Sequence, residues 1–327
     1  MYPFVVADIG GTNARFALVS GKTEGTDEVP EAFVIEQIQI LKGADFSSFE
    51  HAMSAYLDML DDVTVQAACV AIAGPVQGDR VSMTNLPWSF SQETLKKKFN
   101  LRAFEAINDY TAQALATSQI DDTGLATVVT GERVANANKA ILGPGSGLGV
   151  AGLVHTVEAW VPVPSEGGHV NMAPSNELEL AMFSYLIKKH GYLSAEMCLS
   201  GPGLENLYDA VCHLEGVPAQ AHRAAAISSL ALTRRDEQCH TALSVFCALL
   251  GTMAGNLVLT YGATGGAYIT GGIVPRFVDF LRESEFEQRF KNKGVMSHYL
   301  ENVPVDVVVH EQPAFLGAAA WMNQSLR

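Results

Sequence analysis

Apolar positions fall into two regimes along this chain. The first third carries short apolar runs that end in glycine or polar turns, and the region after about residue 176 shows helical spacing. The unbroken run Phe4 to Ala7 predicts a buried strand, and Phe16 to Ser20 its hairpin partner across a glycine turn. Phe46, Phe49, Met53, Tyr56, Leu57 and Leu60 recur at helical spacing, with Ser47 and Glu50 placed as a capping box. Strands are expected over 66–73 and 79–84, a short helix over 91–99, and a strand over 103–107 that delivers Asn108-Asp109 to a helix through Ala112 to Ala116. Lys139 to Leu142 reads as a strand entering the turn Gly143 to Gly149, with further strands over 150–154 and 160–163. Leu178, Ala181, Met182, Tyr185 and Leu186 mark one face of a helix over 177–189, with Gly191 past its end. A long helix over 233–261 contains Gly251 and Gly255, small enough to let another backbone approach. A strand over 266–270, the turn Gly271-Gly272, a helix from Pro275, a strand over 305–309 and a helix over 313–323 complete the pattern.

Length and charge narrow the possibilities. A chain of 327 residues suits two domains, or one large domain with an insertion. An apolar content of 48% with 17% charged residues fits a globular protein rather than a disordered one. The net charge of -14 argues against broad nucleic-acid binding, which needs clustered lysine and arginine. It leaves a phosphate ligand open, because backbone dipoles can bind a nucleotide inside an acidic protein. The five cysteines form no C-x-x-C pair, against both a disulfide framework and a zinc knuckle. With no signal-like start and no apolar run read as long enough to span a bilayer, a reducing cytoplasm is expected and a membrane partner is not.

Three glycine turns each follow an expected strand: Gly10-Gly11 within Asp8 to Arg15, Gly143 to Gly149, and Gly271-Gly272. Glycines of this kind let backbone N–H groups point at an anion, and a carboxylate at the strand end can orient a magnesium ion. Each could equally be a plain hairpin turn. The lysine-bearing G-x-x-x-x-G-K-[ST] loop is absent. Gly147-x-Gly149-x-x-Gly152 matches the dinucleotide pattern, yet strands rather than a helix are expected after it, so a dehydrogenase fits poorly. Asp109, at a strand end, suits a base that removes a hydroxyl proton, and equally an N-cap for the next helix. Glu166-Gly167-Gly168-His169 suits gripping sugar hydroxyls, or one half of a metal site. Glu196 could stabilise a helix start, and Asn85, between Thr84 and Trp88, could bind substrate or hold a turn.

Taken in order, Asp8 to Arg15, Met83-Thr84-Asn85 with Trp88, Ile107-Asn108-Asp109, Gly143 to Gly149, Glu166-Gly167-Gly168-His169, Ser194-Ala195-Glu196 with Leu199 to Gly203, and Gly271 to Phe277 closely resemble the bacterial ATP-dependent glucokinase family. The likeness runs nearly end to end. It implies a two-lobed, actin-like (ribonuclease H-like) α/β ATPase fold, with a smaller α/β domain from 1–109 plus 311–327, a larger α+β domain from 110–310, and the active site in the cleft. It implies transfer of the γ-phosphate of ATP to the 6-hydroxyl of glucose, with Asp109 as the base. Asn85, Asn108, Glu166, His169 and Glu196 would hold the sugar. Gly10, Gly11, Thr12 and Asn13 would form one phosphate loop, Gly145, Ser146 and Gly147 a second, and Gly271 and Gly272 an adenosine turn. Mg2+ would ride on ATP, with Asp8 acting on it through water; no zinc is expected, and a homodimer is. Ser146 replaces a more usual threonine, and Pro144 removes a backbone donor from the second loop. The rival readings are a kinase for mannose, fructose or an N-acetylhexosamine, and a sugar-sensing regulator on the same fold.

Overall fold

The apolar run at the N-terminus becomes the central strand of a five-stranded sheet. The computed structural model describes residues 2–25, 31–61, 63–74, 76–83 and 86–326, so Thr84 and Asn85 lie outside the described residues. The chain divides into two units: Met1–Asp121 with Val157–Pro162 and His310–Arg327, and Asp122–Thr156 with Val163–Val309.

In the first unit the elements are β1 (Phe4–Ile9), β2 (Asn13–Lys22), β3 (Phe33–Lys42), α1 (Phe49–Leu57), β4 (Ala67–Ile72), the short pair β5 (Arg80–Ser82) and β6 (Ser89–Ser91), α2 (Gln92–Lys98), β7 (Ala103–Asn108) and α3 (Asp109–Ala116). The sheet order is β3-β2-β1-β4-β7. β1 pairs antiparallel with β2 and parallel with β4, which pairs parallel with β7. Every residue of β4 is buried, as expected for a parallel strand covered on both faces. β3 has no sequence forecast because it is an exposed edge strand carrying Glu36, Gln37 and Gln39 where an apolar run would be read. The cap of α1 is Ser48, whose hydroxyl accepts from His51 N at 3.1 Å, rather than the expected Ser47. Phe49, Ala52, Met53 and Tyr56 bury one face of α1, and Tyr56 stacks on Phe16 with ring centroids 5.1 Å apart.

The C-terminal helix, Pro313–Ser325, lies against α3. The approach is so close that a Cβ on Gly317 would fall 1.8 Å from the carbonyl oxygen of Ala112. That packing keeps α3 with the first unit, which therefore runs past the expected division at 109/110 to Asp121.

The second unit holds β8 (Leu125–Val129), β9 (Lys139–Pro144), β10 (Leu148–His155), β11 (Trp160–Ser165, whose first three residues are grouped with the first unit), α4 (Glu177–His190), α5 (Gly201–Glu215), α6 (Ala224–Leu232), α7 (Glu237–Tyr261), β12 (Ala267–Ile269), α8 (Val278–Glu283), α9 (Phe286–Lys291), α10 (Ser297–Leu300) and β13 (Val305–Val308). Its sheet runs β11-β10-β9-β12-β13-β8. α4 ends as forecast on Gly191, left-handed at φ 85, whose N–H reaches Ile187 O at 2.8 Å. Its buried face differs from the forecast: Leu178 is exposed, whereas Glu179 is buried. Glu179 is tolerated there because Arg289 meets both its carboxylate oxygens, at 2.5 and 3.2 Å.

The long helix begins at Glu237, capped by Asp236, after a break from α6 that the apolar pattern did not reveal. Gly251 and Gly255 do admit another backbone: Cβ atoms there would stand 2.2 Å from Phe286 O and 2.5 Å from Phe290 O of α9. α7 also corrects the reading that no run is long enough to span a bilayer. Its length and composition suffice, but 78% of its most apolar stretch is buried inside the protein. It is the central core helix of its unit, flanked by α5, α6 and α9.

Candidate active site

Three parallel strands of the first unit end in register. Ile9 pairs with Ile72, and Ile72 with Asn108, so the Gly10-Gly11 turn, Ala73-Gly74 and Asp109 all leave the sheet at its carboxyl edge. Carboxyl ends of parallel strands are where α/β sheets bind ligands. The turn is closed by Gly10 N donating to Asn13 O at 3.0 Å, and Gly43 N holds Thr12 O at 2.9 Å. Gly11 and Thr12 are exposed, and Gly10 and Asn13 are half-buried.

Asp8 stands opposite Arg15 in the hairpin register and accepts its guanidinium at 2.9 Å. Burial raises the Asp8 carboxyl, and Arg15 offsets part of that rise. Nothing in the sequence alone gave Arg15 a role. The signal available was the hairpin itself, which places residues seven apart on one face once the turn is set.

The helix cap falls on Asn108, not Asp109. The Asn108 Oδ1 accepts from Tyr110 N at 2.9 Å and Thr111 N at 3.3 Å, while its Nδ2 donates to Gly74 O at 3.1 Å. The Asn108 side chain also hydrogen-bonds the Asp109 carboxyl, which works to lower it. Asp109 is thus relieved of capping and opens α3, with Oδ1 accepting from Tyr110 N at 3.0 Å. Burial pushes its carboxyl up to about 6; the Tyr110 N–H opposes this, and the negative charge of Asp8 adds to it. A carboxylate in that range is matched to proton removal near neutral pH.

In the second unit, β9 and β12 run parallel with Leu142 beside Ile269. The turns that follow, Gly145-Ser146-Gly147 and Gly271-Gly272, therefore share one sheet edge. Thr270 N donates to Leu142 O at 2.8 Å. Gly271 has φ 87, and a Cβ there would lie 2.6 Å from Pro144 O, so both backbone angle and space demand glycine. Gly145 N closes its turn on Gly147 O at 2.8 Å. Pro144 ends β9 and pairs with Leu148.

The same unit gathers Glu166, His169 and Glu196. Gly167–His169 forms one 3-10 turn, with His169 N donating to Glu166 O at 3.0 Å. Glu196 N donates to Gly168 O at 2.8 Å, and its Oε1 lies 4.0 Å from His169 Nδ1. Glu166 and His169 are exposed, and Glu196 is partly so. Two features went unread in the sequence. Ser200 caps α5 by accepting from Gly203 N at 2.9 Å, and Gly201 N holds Gly145 O at 2.8 Å. The Leu199 to Gly203 motif was visible, but not which loop it would brace. Among the described residues no group of three or more His, Cys, Asp or Glu is arranged to hold a metal ion.

A sequence model of the family described as Glucokinase matches residues 5–325. A glucokinase of Saccharophagus degradans is 48% identical over 324 residues, covering 99% of each chain. The crystal structure of a glucokinase from an Antarctic psychrotroph superposes with a TM-score of 0.92 at 40% identity, covering 99% of both chains. A ROK family glucokinase from Streptomyces griseus, solved with glucose and AMPPNP, shares the fold at a TM-score of 0.62 and 15% identity, covering 98% of this chain and 99% of that one. The fold is the actin-like ATPase fold these enzymes share. This chain belongs to the glucokinase family.

Proposed function

We propose that this chain transfers the γ-phosphate of ATP to the 6-hydroxyl of glucose, with Asp109 as general base. The observation that carries the chemistry is the Asp109 carboxylate, at the end of a parallel strand and pushed up to about 6. At pH 7 about nine-tenths of such a group is ionised, yet it still binds a proton strongly enough to take one from an attacking alcohol. Asn108 and Asp109 leave the same strand edge as the Gly10 to Asn13 turn, whose N–H groups suit phosphate oxygens. In the second unit, Gly145, Ser146 and Gly147 take the role of a further phosphate contact, and Gly271 with Gly272 that of the adenosine turn. Glu166, His169 and Glu196 supply acceptors and a dual donor–acceptor for sugar hydroxyls, joined by Asn108 and by Asn85. Polar groups that hold a substrate hydroxyl discriminate because they are left unpaired when that hydroxyl is missing. The choice of glucose rests on relatives named for it at up to 48% identity.

Magnesium accompanies the ATP and neutralises charge as the phosphoryl group moves. Asp8 and Asp109 fit it as neighbouring carboxylates whose mutual repulsion a divalent cation would relieve. Asp8 already shares an oxygen with Arg15, which supports contact through water rather than direct ligation. The five cysteines are buried and unbridged, which supports a reducing cytoplasm. A homodimer rests on the family resemblance alone.

The test is an ADP-coupled phosphorylation panel over glucose, mannose, fructose and N-acetylhexosamines with purified protein. The proposal expects kcat/KM to be highest for glucose. A higher value for any other hexose, or no turnover of glucose, refutes it.

A further inference from the structure

The Glu196 carboxylate faces two ways. Its Oε1 points toward His169, while its Oε2 accepts from Leu148 N at 2.8 Å, immediately after the Gly145-Ser146-Gly147 turn. The residue opposite Leu148 in the strand pair is Pro144, which has no N–H to contribute. The side chain also fills a prepared space. A Cβ on Gly147 would lie 2.5 Å from Glu196 Oε2, so glycine at that position makes room for the carboxylate as well as for any phosphate.

The segment carrying Glu196 is tied to both loops. Toward the sugar loop, Ala195 N donates to Val170 O and Glu196 N to Gly168 O, each at 2.8 Å. Toward the phosphate loop, Gly201 N donates to Gly145 O at 2.8 Å. The span between is closed on itself by Ser200 Oγ donating to Glu196 O at 2.8 Å and Leu199 N to Ala195 O at 2.8 Å. One turn of chain therefore holds the phosphate loop at both ends, by a side chain after the turn and a main-chain N–H before it.

We propose that Glu196 is a positioning residue for the phosphate loop as well as a sugar contact, one carboxylate oxygen serving each, so that sugar and nucleotide bind with positive cooperativity. The inference rests on the proposed function for the roles of the two loops. A hydroxyl donating to Oε1 fixes the carboxylate, which keeps Oε2 on Leu148 N–H and the turn in its phosphate-binding shape. Coupling of this kind is reciprocal: glucose tightens the nucleotide by the factor by which the nucleotide tightens glucose.

Calorimetry on the full chain tests it, with AMPPNP and Mg2+ titrated in the absence and presence of saturating glucose. Wild type is expected to bind AMPPNP more tightly with glucose. Glu196→Gln offers Leu148 N–H at best a neutral acceptor, and Glu196→Asp withdraws the charge by one methylene. Both are expected to weaken AMPPNP binding without sugar, by roughly tenfold for loss of a charge-assisted hydrogen bond, and to abolish the effect of glucose. His169→Gln is expected to weaken glucose while leaving the sugar-free AMPPNP Kd within about twofold. Sugar-free AMPPNP affinity unchanged in both Glu196 variants overturns the inference. Should the variants not fold, hydrogen exchange on wild type decides: glucose alone is expected to slow exchange in the peptide spanning 143–149, and no change there overturns the inference. Failure of the proposed function shows separately, as wild type that does not phosphorylate glucose.

Discussion

Replacing Asp109 with asparagine should cripple the enzyme and stabilise the protein, and the two effects should part with pH. The amide keeps the shape and an acceptor for Tyr110 N–H, but removes the proposed base. A loss of kcat of about 10²- to 10⁴-fold follows from general-base chemistry, and retention of more than about a tenth would exclude Asp109 as the base. The stability gain comes from the carboxyl's rise from 3.8 to about 6 on folding. A raised folded-state value means the folded protein holds the proton more tightly than the unfolded chain, so ionisation penalises folding. The penalty is absent below about pH 4, grows between there and pH 6, and is complete above. A rise of that size corresponds to about 2–3 kcal/mol at pH 7.5, shrinking to about 1 kcal/mol at pH 4.5. Urea unfolding followed by tryptophan fluorescence reads this out, because Trp88 and Trp321 belong to the same unit as Asp109. Asp109→Asn should unfold at higher urea than wild type at pH 7.5, with the margin narrowing toward pH 4.5. A variant no more stable than wild type, or a margin independent of pH, refutes the account of Asp109 as a carboxylate held ionised against burial.

As the proposed base, the same carboxyl should set the acid limb of kcat/KM for glucose, at an apparent pKa near 6 and displaced to lower pH in Asp8→Asn, which removes a neighbouring negative charge. Gly317→Ala should cost stability, because its methyl would enter the space of Ala112 O; it should also lower kcat by shifting α3, which begins at Asp109. Circular dichroism melts alongside kcat check this, and an unchanged kcat in the folded variant removes the coupling. Arg289→Met should lose about 3–5 kcal/mol by stranding Glu179 in the core, and adding Glu179→Leu should recover most of it; a double variant no better than the single refutes the pairing.

What the sequence conveys here is local, and what it withholds is the far partner. Strands with continuous apolar runs, such as β1 and β4, were legible because burial on both faces leaves that trace. β3 was not, because an exposed edge strand keeps its polar residues and is recognised only by the hydrogen bonds of a neighbour. Gly251 and Gly255 announced a close approach without naming α9 as what approaches. Glu179 had no place among the residues read on the buried face of its helix, and Arg289, 110 residues later, is what makes its burial possible. The candidate site follows the same rule. Asp109 could be read from one stretch as either base or cap, and only the side chain of Asn108 taking Tyr110 N and Thr111 N separates the two. Glu196 read most simply as a helix-start carboxylate, since its bond to Leu148 N spans 48 residues and leaves no periodic signal. Its trace was a glycine at 147, a position that a phosphate turn alone already explained. One residue type thus answers two demands, space for the protein's own carboxylate and, in the proposed site, space for an anionic ligand. A single sequence cannot separate them, because both are satisfied by the same missing side chain.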